Sequence, residues 1–279
     1  MNSNQLSGMN LVYRNLPLSF FLSSQKSLGV HNIEFWAGYP HFSVENSDSS
    51  TRKELKSIIY SYGLKTIAVT IPSLGYQYQY CPSSKEMYQK CWSYFLKGLY
   101  LTSELDAPIM TVNSGWSYHD QSQVIGFQQA GEFLHNLCNE AKTLGIKLAL
   151  ESLTPLESNL ATTISSTQRL LDYVASNNLF ITIDTGACAC SGETSRMWFQ
   201  SFNERIIHSH FIDGKPNHVG HLVWGTGCLD LIAEIKSYNE YGYQGYYSAE
   251  LASGIYGNDP FSADQKNLDV VKAAIASLT

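Results

Sequence analysis

Short apolar runs alternate along the chain with longer stretches whose apolar residues recur every three or four positions. Eight of the runs read as strands: "MNLVY" (9–13), "NIEFW" (32–36), "KTIAVTI" (65–71), "PIMTVN" (108–113), "IKLALE" (146–151), "LFITID" (179–184), "RIIHSHF" (205–211) and "GYYSAE" (245–250). The stretches between them read as helices. "EFLHNLCNEAKTLG" puts Phe133, Leu134, Leu137, Cys138 and Ala141 on one face, with Gly145 as the stop. "STRKELKSIIYSYG" repeats the arrangement and stops at Gly63, and "ISSTQRLLDYVASNN" closes on an Asn pair. The Ser-rich "SVENSDSST" reads as a loop leading into a helix N-cap.

Regular strand–helix alternation implies a parallel sheet. Eight units within 279 residues fit one closed α/β architecture, a single (β/α)8 TIM barrel spanning residues 1–279. The rival is an open, doubly wound sheet. It would carry a Gly-rich phosphate loop after the first strand, where this chain has "LVYRNLP". No linker or low-complexity segment divides the sequence.

In such a barrel, functional groups project from the C-terminal ends of the strands. The fifth run ends in Glu151, the sixth in Asp184 and the eighth in Glu250, while the seventh carries His208 and His210. One strand-end carboxylate by itself reads as a helix N-cap or a loop contact, and "IDTG" reads as a turn. Four successive strand ends delivering carboxylate, carboxylate, imidazole and carboxylate to one rim are a different matter. Without a cation these groups would repel and be costly to desolvate. The set therefore predicts one divalent metal ion held by Glu151, Asp184, His210 and Glu250. Oxygen-rich ligation suits Mn²⁺, with Mg²⁺, Co²⁺ or Ni²⁺ as alternatives, better than Zn²⁺. Strand period two puts His208 and His210 on the same face, both inward or both outward.

Composition narrows the field. The hydrophobic fraction of 44% suits a soluble globule, and no apolar run approaches a membrane span. The first residues, "MNSNQLSGMN", lack the basic start and apolar centre of a signal peptide, so a cytoplasmic location is expected. The net charge of −6, with Lys and Arg scattered, argues against nucleic acid as a partner. In a long chain with no export signal the six cysteines are expected to be free thiols, and Cys188-x-Cys190 is not zinc-finger spacing.

At the level of motifs, the order Glu, Asp, HxH…D, Glu on strands five to eight resembles the xylose-isomerase-like barrels of sugar isomerases and epimerases. Within them the chain is most similar to the fructoselysine 3-epimerase family, with the ketose 3-epimerases further off. The resemblance runs nearly the full length, through "IEFWAGYPH", "LGYQYQY", "LESLTPLESN", "HSHFIDG" followed by "GHLVWGTG", and "AELASGIYGNDP". It implies that Glu151, Asp184, His210 and Glu250 are the metal ligands, and that Glu157 and His208 reach the substrate's hydroxyls. The pattern departs at three places. Ala187 stands where ketose 3-epimerases usually have a His, Trp224 replaces the usual Pro, and Thr226 replaces an acidic residue between the glycines. The last two are expected in a loop over the pocket.

The resemblance implies epimerisation at C3 of an open-chain ketose or ketosamine. A metal at the carbonyl oxygen would stabilise the enediolate, while Glu151 and Glu250 act as bases on its two faces. Trp36, Tyr76, Tyr78 and Trp116 are candidates to pack on the sugar and an alkyl arm, and His41 and Arg14 to meet a distal carboxylate. Three other classes compete. An aldose–ketose isomerase would use the same ion. An abasic-site endonuclease would need more metal ligands and a basic groove. A non-catalytic sugar-binding barrel would most easily arise with a broken ligand set. The expected partners are a small-molecule sugar and further copies of the chain, in a homo-oligomer, with no membrane.

Overall fold

The apolar runs pair in chain order. In the computed structural model, which describes residues 1–74, 78–218 and 220–278, eight parallel strands close into a barrel in the order β1 to β8, with β1 hydrogen-bonded to both β2 and β8. The strands are β1 (Leu6–Met9), β2 (Asn32–Trp36), β3 (Lys65–Thr70), β4 (Ile109–Asn113), β5 (Lys147–Glu151), β6 (Leu179–Asp184), β7 (Ile206–His210) and β8 (Tyr246–Ala249). Helices surround them, as the alternation predicts. The outer faces of the strands and the inner faces of the helices form the main apolar core, rich in fully buried rings such as Phe35, Phe95, Phe133 and Trp198.

The helix stops are largely where the residues place them. Asp48 caps the helix Ser49–Ser61 with a reciprocal pair of bonds to Thr51. Gly63 and Gly145 follow their helices with positive φ. The helix Ile164–Val174 ends instead at Ala175, in the left-handed region, two residues before the Asn pair.

β1 lies earlier than the apolar run "MNLVY" suggests, because residues Asn10–Tyr13 form a 3-10 turn. Asn10 explains the break. Its side-chain amide donates to the Trp36 carbonyl at 2.9 Å and accepts from the Trp36 N–H at 2.6 Å. The side chain thus makes the two bonds that another strand residue would make, and the main chain is free to turn.

The real β1 contains Gly8 because Gln25 packs against it: a Cβ there would fall 2.1 Å from the Gln25 amide oxygen. Gln25 and Tyr13 both donate to one oxygen of the buried Asp264, at 2.7 and 2.8 Å. The other oxygen has no hydrogen-bond partner among the described residues, and Asp264 lines a cavity of about 30 Å³. Burial lifts the Asp264 carboxyl to about 7. A carboxyl raised in the folded state favours folding while it is protonated. Its contribution is complete below the unfolded value of about 4 and is lost as pH rises through about 7. Asp264→Asn keeps an acceptor for Tyr13 and Gln25 and removes the charge. It is expected to be more stable than the wild type at pH 8.5, by on the order of a few kcal/mol, with the gap roughly halved at pH 5.5. Thermal melts at the two pH values check this.

All six cysteines are free, and no helix among the described residues is long and apolar enough to cross a membrane.

Candidate metal centre and active site

Strand register builds the site. Glu151 pairs with Thr182, and Asp184 pairs with His210, which pairs in turn with Ser248. Glu250 follows β8 directly. The inward side chains at these strand ends converge. One ligand-type atom from each of Glu151, Asp184, His210 and Glu250 lies within 4.8 Å of the others, and all four residues are buried. His210 Nδ1 is at the centre, 2.5 Å from Glu151, 2.8 Å from Glu250 and 4.0 Å from Asp184.

The electrostatics match the crowding. Burial raises the Glu151 and Asp184 carboxyls above the usual range. Burial by itself would lower the His210 imidazolium, but Glu250, Glu151 and Glu34 outweigh it and hold it well above the usual histidine range. Glu250 Oε2 is buried, and the groups it faces are ring nitrogens, His210 Nδ1 at 2.8 Å and His221 Nδ1 at 3.5 Å. Three carboxylates and one imidazole that lack enough donors of their own form a set suited to a divalent cation. Asp184 serves two ends: Oδ1 caps the short helix Thr185–Ser191 by accepting from the Ala187 N–H at 2.9 Å, which leaves Oδ2 for the cluster.

Glu157 folds back beside this centre. Its carboxylate accepts from the Thr154 N–H and hydroxyl at 3.1 and 2.8 Å, and burial raises it. With Trp116, Tyr118 and Leu156 it lines a cleft of about 620 Å³. The remaining candidates are elsewhere. His208 is one layer deeper than His210, fully buried, its Nε2 donating to Glu34 at 2.7 Å. Both ring nitrogens of His41 are engaged, with the Asn10 amide at 2.9 Å and the Leu16 carbonyl at 2.8 Å, and it lines a separate pocket with Arg14. Trp36 is buried. Tyr78 stacks on Tyr94 and donates to Glu45 in another cleft. Tyr76 lies outside the described residues.

Two residues of this region escaped the sequence reading. His221 has positive φ, and its Nδ1 donates to the Glu250 carbonyl at 2.9 Å. Burial would lower its imidazolium, but Glu250, Asp184 and Glu157 lift it to about 9. Glu34, inside "NIEFW", reaches both His208 and His210. The available signals were a carboxylate in the middle of an apolar strand and a His four residues before "GTG".

The loop that carries His221 is pinned by Asp213 of "HSHFID". Its carboxylate accepts from the N–H groups of Gly225, Gly227 and Leu229 at 3.0, 2.7 and 3.1 Å. Gly227 is required there, since a Cβ would fall 2.1 Å from an Asp213 oxygen. Trp224 does not face the pocket. It is fully buried against Phe211, with its indole N–H donating to the Phe211 carbonyl, and anchors the loop from below. Thr226 turns back to the Val223 carbonyl.

The family profile for the xylose isomerase-like TIM barrel matches residues 24–275. The chain belongs to that family. Among its relatives, fructoselysine 3-epimerase of Escherichia coli O157:H7 is 25% identical over 248 residues, which cover 89% of this chain and 90% of that protein. The Shigella flexneri fructoselysine 3-epimerase matches to the same extent. Solved structures of the same fold include an L-ribulose 3-epimerase, with a TM-score of 0.81 at 17% identity over 99% of this chain and 95% of that one. The 3-keto-D-glucoside 4-epimerase YcjR from E. coli gives 0.79 at 16% identity, over 96% and 99%. These four relatives and neighbours of the xylose isomerase-like barrel are sugar epimerases, in line with the isomerase expected from its motifs.

Proposed function

We propose that the protein is a metal-dependent sugar epimerase that inverts C3 of a ketose or ketosamine of the fructoselysine type. The observation that carries this reading is the convergence of Glu151 and Glu250 on one buried centre with Asp184 and His210. The 25% identity to fructoselysine 3-epimerases over most of both chains supports the position of the reacting carbon. These four residues would hold one divalent ion, with Mn²⁺ the best match to the donors. When bound, the ion supplies a Lewis acid that polarises a ketone and acidifies the neighbouring C–H.

The chain's own residues do the rest. Glu151 and Glu250 approach the centre from different strands, on two sides of His210 Nδ1. One carboxylate takes the C3 proton from the tetrahedral carbon beside the ketone, which leaves a planar intermediate, and the other returns a proton to the opposite face of that intermediate. Glu157 and His221 border the same space and are placed to hold hydroxyls of the sugar. Trp116 offers an aromatic wall beside Glu157 for an alkyl arm. The family resemblance alone supports two companion expectations, a homo-oligomer and a cytoplasmic location. The barrel's closure on itself supports residues 1–279 acting as one domain.

The test is to incubate candidate ketosamines and free ketoses with protein and Mn²⁺ in D₂O, remove the ion and record NMR spectra. Deuterium is expected at C3, with the C3 epimer appearing. Exchange at C1 or C2 with an aldose product would replace this reading by an aldose–ketose isomerase.

A further inference from the structure

Below the four-residue centre lies a second charged layer that a sugar cannot reach. Glu34 rises from β2, three strands round the barrel from β7, and is fully buried. Each oxygen of its carboxylate meets one imidazole. Oε2 is 2.7 Å from His208 Nε2, and Oε1 is 3.1 Å from His210 Nε2. The Thr70 and Thr111 hydroxyls also donate to Oε1, at 2.5 and 3.3 Å. The Ser248 hydroxyl lies 3.4 Å from His208 Nε2. Side chains from β2, β3, β4, β7 and β8 thus meet around one carboxylate.

A carboxylate in this place is expensive. Its two oxygens face two imidazoles and two threonine hydroxyls, all of them groups that can donate to a carboxylate. An apolar side chain would fill the space without that desolvation cost. The geometry gives the charge a task. Rotation about the Cβ–ring bond of a histidine is soft and nearly two-fold, so the backbone of β7 does not decide which nitrogen faces the centre. Only an acceptor on the far side of the ring keeps a proton on Nε2 and leaves the Nδ1 lone pair for a cation.

We propose that Glu34 is a positioning residue for the metal centre, and that its two oxygens lock His210, with His208 as a brace, in the Nε2–H form with Nδ1 aimed at the ion. The proposal rests on the reading of Glu151, Asp184, His210 and Glu250 as ligands. Glu34 itself touches neither ion nor substrate. Glutamine in its place offers one acceptor where two imidazole N–H groups need one each. Its amide N–H₂ must then face a ring nitrogen, which favours the wrong tautomer in one of the two histidines.

Two measurements decide, and neither needs substrate. In ¹⁵N-histidine-labelled wild-type protein saturated with diamagnetic Mg²⁺, His210, assigned by its absence in His210→Gln, is expected to carry its proton on Nε2 and none on Nδ1. An Nδ1–H tautomer would overturn the proposal, and this arm holds even if a Glu34 variant fails to fold. In the second, Mn²⁺ binding is titrated into wild type and Glu34→Gln, with circular dichroism as the check on folding. Folded Glu34→Gln is expected to bind Mn²⁺ about 10–100-fold more weakly. Equal affinity would sink the positioning role while leaving the metal centre standing. Two Mn²⁺ per wild-type chain would also overturn it, because Glu34, His208 and His210 are close enough to hold an ion of their own. If wild type binds no ion, the metal-centre reading itself falls, and the Glu34 proposal falls with it.

Discussion

Glu250→Gln is expected to stop inversion at C3, and Glu151→Gln to do the same, while exchange of the C3 hydrogen with D₂O stops only in the variant that has lost the base facing that hydrogen. Gln keeps the length of the side chain and one oxygen near the centre, so part of the ion affinity survives. It cannot accept a proton from carbon, and general-base catalysis is typically worth about 10²–10⁴-fold in rate. Each carboxylate is within 2.8 Å of His210 Nδ1, so neither variant needs the strands to move. Glu157 provides the contrast. It is held by Thr154 at the edge of the centre and is not one of the four converging ligands. Glu157→Gln should raise KM or misorient the sugar, with a smaller fall in kcat. The measurement is C3 inversion and exchange in each variant, with bound metal assayed in parallel. Glu250→Gln that epimerises at the wild-type rate with its ion in place would end the two-base scheme.

Chelation is expected to take epimerase activity to background, with Mn²⁺ restoring it, and to lower the melting temperature. The second effect follows from the same cluster. Without an ion, three buried carboxylates share the space around one imidazole. An ion that binds only the folded chain stabilises it by about 2.7 kcal/mol at a hundred times its Kd. For a chain of this size that corresponds to a rise of roughly 5 °C or more. Scans with and without chelator and Mn²⁺ check it, and Asp184→Asn should lose most of the ion-dependent rise. A melting temperature indifferent to Mn²⁺, in protein whose activity also ignores chelator, would remove the metal from the mechanism.

What could be read from the chain was what depends on local periodicity. Seven of the eight strands lie within the apolar runs, and strand period two put His208 and His210 on one face. The metal set was legible for the same reason. In a parallel barrel every strand runs the same way, so the last inward residue of each strand reaches one rim, and chain order alone lists the donors. β1 was misplaced by a few residues because its end is set by the Asn10 side chain bonding Trp36 across a strand boundary, which no run of apolar residues encodes.

The rest required the closed barrel. Glu34 and His210 are 176 positions apart and meet only because β2 and β7 both point side chains into the closed interior. In sequence Glu34 is one polar residue in an apolar strand. His221 reaches Glu250 through a loop with positive φ, fastened by Asp213, so its place depends on contacts distant in the chain. Trp224 looked like a loop residue over the pocket and proved to be core, because the loop's far side packs on Phe211. His41 and Trp116 both follow strand ends, yet one is tied into a loop by its two ring nitrogens and the other opens onto the cleft of Glu157. Periodicity determines which face of an element a side chain takes. What that side chain meets depends on partners from other strands and loops, and only chain closure brings them together.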